Sequence, residues 1–383
     1  MKIRFNRHEL AAVIAPLMSC VSTKVTVPAA EGILIEAKFP NVCVLTTFDL
    51  EKGMRVTTNA EVLEEGTYII NAVKLNQTLR VMPADEIELS VDERNVASIV
   101  CGKSSHKMNA LAGSDFPAIP KLESDDAVVL KQSDLKEMFS QTMYAMGVND
   151  QRNILNGTFV KIVEGNLTMV SCDNFKLAKC DRIIDYKTEQ DYAGTYRTAF
   201  ILPVKTVNEL VKLLSDNKEK SVRMFMTRKN IVFEIGDIIF FSRLIEGEYL
   251  DYDRIIVKNH KYSVECDREE LISALERAAL VTEEKIAGSL RSHVKLVFDE
   301  NLLKITANSS AGSTYDEIEI GDIGAPLTIG FNNRYLINSV RACNAERITL
   351  SLSSHLSSLN ITPAEAKEGV EEVFMLLPVR LKD

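Results

Sequence analysis

Long apolar runs are missing from this 383-residue chain, and none approaches the roughly 18 residues a membrane span needs. The opening Met1-Lys2-Ile3-Arg4-Phe5-Asn6-Arg7 lacks the apolar core of a secretory leader, so a cytoplasmic protein with no membrane partner is expected. Closely spaced cysteines are missing as well. The seven present (20, 43, 101, 172, 180, 266, 343) are odd in number and include no Cys-x-x-Cys, which reads as buried small hydrophobes in a reducing compartment. Positive charge is in deficit: 45 Lys plus Arg against 54 Asp plus Glu leave a formal net charge of -9. Taken alone, that balance argues against a protein that coats nucleic acid through bulk charge.

Catalytic signatures are absent too. The chain has no Gly-x-Ser-x-Gly elbow, no Gly-x-x-x-x-Gly-Lys phosphate loop and no Gly-x-Gly-x-x-Gly fingerprint. Its five histidines (8, 106, 260, 293, 355) are isolated, without metal-ligand spacing. Acidic pairs such as Asp85/Glu86, Asp92/Glu93, Glu283/Glu284 and Glu371/Glu372 read as solvated turns and helix ends. No catalytic residue, cofactor or metal is therefore expected.

What the sequence does contain is one pattern written three times. Leu10, Val13, Ile14 and Leu17 make an apolar helix stripe that returns at Leu135, Met138, Phe139, Thr142 and Met146, and again at Leu271, Ala274, Leu275 and Ala278. Each stripe follows a short extended segment (Lys2 to Phe5, Val128 to Lys131, Lys261 to Glu265). Asn6/Glu9 and Asp267/Glu270 have capping-box spacing, and Ser133 is expected to cap the middle helix. Hairpins are predicted for Ile33–Glu36 with Val42–Thr47, Phe159–Val163 with Leu167–Val170, and Val294–Phe298 with Leu302–Ala307. A further strand and second helix follow each time, at 71–82, 204–214 and 332–343. Anchors of first and second helices lie 65, 72 and 65 residues apart (Leu10 to Leu75, Leu135 to Val207, Leu271 to Leu336).

The expected fold class is α+β, with three tandem copies of a two-helix-plus-sheet domain spanning 1–126, 127–258 and 259–383. Joins fall at the proline-broken Phe116-Pro117-Ala118-Ile119-Pro120 and in the Asp- and Tyr-rich stretch Gly247 to His260. By domain the charge is -4, +1 and -6, yet the three second helices together carry +5. Their basic residues are Lys74 and Arg80, Lys205 and Lys212 (against Glu209), and Arg334 and Arg341. Equivalent basic helices facing a common axis would meet phosphates without reading bases.

Several segments resemble the bacterial DNA polymerase III beta subunit family, the sliding clamps, over the whole chain. They are Met1-Lys2-Ile3, Asp115-Phe116-Pro117, Asn149 to Gly157, Gly247 to Arg254, Ile329-Gly330-Phe331-Asn332 and Leu377-Pro378-Val379-Arg380-Leu381. The resemblance implies a DNA clamp fold in a head-to-tail homodimer, a closed ring that encircles double-stranded DNA without sequence preference. Its implied partners are an ATP-dependent clamp loader, the DNA polymerase III catalytic subunit, and other polymerases and repair proteins that dock short linear peptides.

DNA-facing positions implied in this way are Lys24, Lys74, Arg80, Asn149, Arg152, Ile154, Lys205, Lys212, Asn332, Arg334 and Arg341. The implied peptide groove comprises Leu155, Cys172, Asn174, Phe175, Lys176, Leu177, Leu250, Arg254, Ile255, Leu356, Ser358, Met375, Leu376, Leu377, Pro378, Val379 and Arg380. Here Asn174-Phe175-Lys176 replaces the family's usual Gly-His-Arg, and Leu250 a frequent Pro. The implied subunit contact pairs the edge strand around Lys103, His106 and Met108 with the strand near Lys295 and Phe298, packed by Leu280 and Val281. A non-catalytic processivity factor is the leading expectation. A metal-dependent enzyme acting on nucleic acid is the alternative, and a DNA-free interaction scaffold would leave the basic helices unexplained.

Overall fold

Each apolar stripe that predicts a helix lies on one in the computed structural model, except that Met146 falls beyond the end of the middle helix at Thr142; the structure describes residues 1–23, 27–124, 126–188, 197–282, 293–310 and 312–381. The first helix, α1 (Arg7–Leu17), buries Leu10, Ile14 and Leu17, and the Asn6 side chain accepts from the His8 and Glu9 amides. An Asn oxygen satisfies helix-start amides that have no partner within the helix. Asn71 caps α2 (Ala72–Val81) the same way, through the Lys74 amide at 3.0 Å. In the middle repeat α3 (Gln132–Thr142) starts two residues earlier than expected, so Ser133 sits inside the first turn rather than at the cap. Gln132 anchors that start instead: its amide donates to the Lys220 carbonyl at 2.9 Å and its side chain to the Ser221 carbonyl at 2.7 Å.

The remaining helices are α4 (Val204–Leu213), the short α5 (Tyr252–Ile255), α6 (Arg268–Thr282) and α7 (Asn333–Ala342). Asp267 caps α6 through the Glu270 amide at 2.8 Å, and Asn332 caps α7 through the Tyr335 amide at 3.1 Å. All three expected hairpins form, with Ile35 opposite Leu45, Val160 opposite Met169 and Leu296 opposite Ile305. All seven cysteines are free and buried, as their spacing predicted. Among the described residues no helix is long and apolar enough to cross a membrane.

The chain folds into two compact units. Met1–Gln132, Tyr186–Asp191 and Asn217–Leu244 make the first; Ser133–Asp185, Tyr192–Asp216 and Ile245–Asp383 make the second. The middle repeat is shared between them because each of its halves extends a neighbour's sheet. In the first unit Ile238–Arg243 pairs antiparallel with Lys52–Asn59, completing a 14-stranded sheet. In the second, Lys176–Ile183 pairs with Val370–Leu376 in an 8-stranded sheet, and a 4-stranded sheet runs from Gly312–Glu319 to Leu327–Asn332.

These two seams share one register. Each begins after a four-residue turn, Asp49 to Lys52 or Asp173 to Lys176, in which the aspartate carboxylate accepts the amides of the last two residues. The lysine closing the turn then faces Ser242 in one seam and Leu376 in the other. The next backbone bond also repeats: Arg243 donates to the Glu51 carbonyl and Leu377 to the Phe175 carbonyl, both at 2.8 Å. Identical geometry at two places is what a duplicated unit requires.

Candidate nucleic-acid interface and peptide groove

The helix faces come first because their charge was the sequence's sharpest signal. Lys74 and Arg80 stand exposed on α2 and Arg334 on α7, and among the described residues no acid pairs with these three. Lys205 is exposed in the first turn of α4. The other two basic positions are partly compensated. Lys212 lies 3.4 Å from the buried Glu209 carboxylate, and Arg341 is paired with Glu276 of α6. Asn332 spends its side-chain oxygen on the α7 cap. Lys24 lies outside the described residues.

The 147–156 loop is held by its own polar groups. Asn149 adopts a left-handed backbone (φ 56°), which Asn tolerates better than most residues. The Asp150 amide donates to Asn156 Oδ1 at 2.8 Å, and Asn156 Nδ2 returns a bond to the Asp150 carbonyl at 2.9 Å. Arg152 is exposed but engaged: Nε reaches Asp150 at 3.3 Å, and Nη2 donates to the Asn174 side chain. That guanidinium holds the Asp150 carboxyl below the usual carboxylate range. Ile154 is half-buried against Gly247.

Four of the groove residues are brought together. Cys172, Leu177 and Met375 form a buried apolar cluster with Val170, Ile256 and Val373, and Tyr249, Leu250 and Tyr252 pack onto it from the segment around α5. Burial pushes the Cys172 thiol up to about 11, so it behaves as an inert apolar group at neutral pH. Leu155 and Leu376 are also buried, Leu376 alternating with Met375 along its strand. Phe175 (53 %), Ile255, Leu356 and Leu377 are exposed apolar side chains.

Polar groups border the same region. Asn174 is exposed, Lys176 is buried in an ion pair with Asp173, and Arg254 meets Asp251 at 2.9 Å. Ser358 is buried, and its hydroxyl has no hydrogen-bond partner among the described residues; nor does Asn360 Oδ1, the next buried amide oxygen along the chain. Buried polar atoms without partners cost free energy unless a ligand or water meets them. The tail past Pro378 is pinned where the Val379 amide donates to the Gly330 carbonyl at 2.8 Å, and Arg380 beyond it is exposed. A Cβ at Gly330 would lie 2.5 Å from the Leu381 side chain, so a larger residue there would have to displace that side chain.

The subunit-contact expectation needs one correction. Lys295 and Phe298 belong to His293–Asp299, which hydrogen-bonds on both sides, to Leu302–Ser309 and to Leu327–Asn332. It has no edge to offer, and Phe298 is fully buried. Among the described residues the edge strands of that sheet are Leu327–Asn332, bridged at Gly330 to Val379, and Gly312–Glu319, which carries Asp316, Glu317 and Glu319. Sequence reading missed it because a polar edge strand lacks the apolar alternation that advertises a buried one. His106 and Met108 do lie at an open edge, since among the described residues Ser104–Asn109 bonds only to Val96–Cys101, and Lys103 sits in the turn leading into that strand. A cleft of about 730 Å³ separates that edge from α2, lined by Lys74, Gln77, Val81, His106 and Met108. Leu280, at the end of α6, is 82 % exposed, with Val281 beside it half-buried.

Comparison with known proteins places these features in a family. Residues 1–120, 129–251 and 253–378 match the models of the N-terminal, central and C-terminal domains of the DNA polymerase III beta subunit. A protein named beta sliding clamp from Chlamydia muridarum is 27% identical over 385 residues, covering 100% of both chains. One of the same name from Staphylococcus aureus is 25% identical over 390 residues, covering 99% of each. A crystal structure of a DNA polymerase sliding clamp from Pseudomonas aeruginosa superposes with a TM-score of 0.88 at 26% identity, covering 100% of both chains. The Bacillus subtilis clamp, at 23% identity and a TM-score of 0.90 over 100% of both chains, shares the fold.

Proposed function

Because the chain belongs to the DNA polymerase III beta subunit family, we propose that two copies close head to tail into a ring that slides on duplex DNA. The observation that carries this reading is the pair of unmatched edges. Ser104–Asn109 is the repeat-equivalent of Ile238–Arg243 and Val370–Leu376, and Gly312–Glu319 of Lys52–Asn59 and Lys176–Ile183. Every equivalent strand has a partner across a seam except these two. Joining them between copies at the shared register sets Met108 opposite Gly312, His106 opposite Thr314, Ser104 opposite Asp316 and Lys103 opposite Glu317. A basic edge then meets an acidic one, and a heterologous contact of this kind closes when its rotation allows. Leu280 and Val281 supply apolar surface suited to the cleft beside α2.

The domains are taken as 1–126, 127–258 and 259–383, and the protein as cytoplasmic. Phosphates would be met by Lys74, Arg80, Lys205 and Arg334, aided by Lys212, Arg341, Asn149, Arg152, Ile154 and Lys24. A ring holds DNA topologically, so it needs only weak, sequence-independent contacts. The groove around Cys172, Leu177, Leu250 and Met375 would take short peptides with Leu and Phe anchors from the polymerase III catalytic subunit, the clamp loader, and other polymerases and repair proteins. Apolar floors with a few polar groups suit such ligands. The role is non-catalytic, and nothing in the fold or the relatives supports a metal-dependent enzyme.

The test is topological. Protein loaded onto a nicked circular duplex by its loader and ATP is expected to stay at moderate salt and to leave once the circle is cut. Retention on the linear product would overturn the ring.

A further inference from the structure

Two loops with separate duties in this reading are tied by three side chains. Arg152 Nη2 bonds both Asp150 Oδ2 (3.4 Å) and the Asn174 oxygen, while Asn174 Nδ2 donates to Asp150 Oδ2 at 3.1 Å. The triangle joins the 147–156 loop, proposed to meet phosphate, to the turn that borders the groove. From Asn174 the path continues one residue on to Phe175, half-exposed on the rim, whose carbonyl accepts the Leu377 amide.

The first repeat shows that the turn does not need this tie. Asp49 to Lys52 has the same aspartate-to-amide bonds and the same carbonyl bond to the next strand, yet carries Leu50 where the second repeat has Asn174. Leu50 has no side-chain polar group to offer. The amide at 174 is therefore an addition to a turn already complete, and it holds the one arginine of the 147–156 loop.

Resting on the proposed function, we propose that Asp150, Arg152 and Asn174 form a latch through which duplex DNA and groove peptides favour each other's binding. A phosphate that takes Arg152 must draw it from Asp150 and Asn174. A peptide main chain crossing the rim at Phe175 takes the exposed Asn174 amide from the same triangle. Whichever ligand binds first removes bonds the second would otherwise have to break. Linkage makes that gain reciprocal. The triangle is solvent-exposed, where ion pairs are weak, so the gain is about threefold in affinity.

The test titrates a fluorescein-labelled peptide bearing Leu and Phe anchors onto the full-length protein at low salt, with and without a short linear duplex that can thread the ring. For the wild type, duplex should tighten peptide binding about threefold. In Asn174→Gly the peptide should still bind, with affinity indifferent to duplex, and Arg152→Gln should lose the linkage likewise. Equal affinities with and without duplex in the wild type, or linkage that survives Asn174→Gly, would overturn the latch while leaving ring and groove standing. Absence of peptide binding altogether would instead overturn the groove, and with it the latch.

Discussion

The two seams of this chain are one piece of architecture with opposite fillings. Both have the aspartate-closed turn and the same strand register, and both have a connector folding an aliphatic side chain back onto the sheet. Leu122 does this in the first seam and Ile256 in the second. The difference lies in three equivalent positions. In the first seam Phe48 and Phe241 pack with ring centroids 5.4 Å apart, and Gly53 opposite Phe241 leaves the space: a Cβ there would lie 2.2 Å from the Phe241 ring. In the second seam the same positions hold Cys172, Met375 and Leu177, with Leu177 opposite Met375. Two aromatic rings against a glycine fill the first seam; in the second, a thiol and an unbranched thioether beside a leucine are packed instead by Phe159, Tyr249, Leu250 and Tyr252. On a fixed frame, a change of three side chains separates the two seams, and the proposed groove lies at the second.

The sharpest way to break that contrast is to remove the filling. Phe241→Ala should destabilise the first seam by about 3–5 kcal/mol, the range for an excised buried phenyl group, read as a lower urea midpoint. Peptide binding at the second seam should be unchanged. Met375→Ala should do the reverse, weakening peptide binding at least about tenfold as loss of a central contact does, with a smaller loss of stability because Met is unbranched and adaptable. If both variants lost stability equally and neither touched peptide affinity, the two seams would be alike in function and the groove reading would fail.

A second contrast is electrostatic. Arg182 bonds Glu137 at 2.7 Å and approaches the buried Glu372, which accepts from Gln141 at 2.8 Å. At the equivalent places the first seam has Thr58 and Ile238, with no ion pair. Burial pushes the Glu137 carboxyl up, but the Arg182 guanidinium outweighs it and holds the group below its ordinary value. A depressed carboxyl contributes stability at neutral pH and loses it as pH falls through the folded-state value, hence below about pH 4. Arg182→Gln should cost about 1–3 kcal/mol at pH 7 by leaving acceptors unmatched, and the gap to wild type should close on acidification. Urea titrations across pH would show it; a gap independent of pH would mean the pair does no electrostatic work.

What the sequence made legible was local. Apolar stripes placed α1, α3 and α6, and neighbouring extended segments separated by short turns placed the hairpins. Both kinds of signal come from residues a few positions apart. Seam contacts such as Phe241 against Gly53 join parts of the chain that nothing local relates, so neither the register nor the filled-versus-open contrast could be read in advance. The groove set came through resemblance, and the structure packs Cys172, Leu177, Leu250 and Met375 of it together. Asn332 and Ser133 show the limit of residue type alone: one polar side chain went to a cap where a ligand contact was expected, the other lies inside a turn where a cap was expected. The Asp-x-x-Lys turn at Asp49 and Asp173 was the one overlooked repeat signal that pointed at the seams.

The smallest effect tests the third, intermolecular seam that the other two imply. At the shared register Lys103 faces Glu317, the place that Asp181 and Glu371 occupy in the second seam. A solvent-exposed cross-strand charge pair is worth about 0.2–1 kcal/mol, so Lys103→Glu alone should weaken the dimer severalfold through repulsion. Glu317→Lys alone should do the same, and the double exchange should restore most of the loss. Sedimentation equilibrium at low and high salt separates the terms, because added salt should shrink both single-variant effects. Rescue by the double exchange ties these two residues to each other and so fixes the register. A double variant no better than either single would leave a dimer whose strands meet at some other register, and the two intrachain seams would then be no guide to the third.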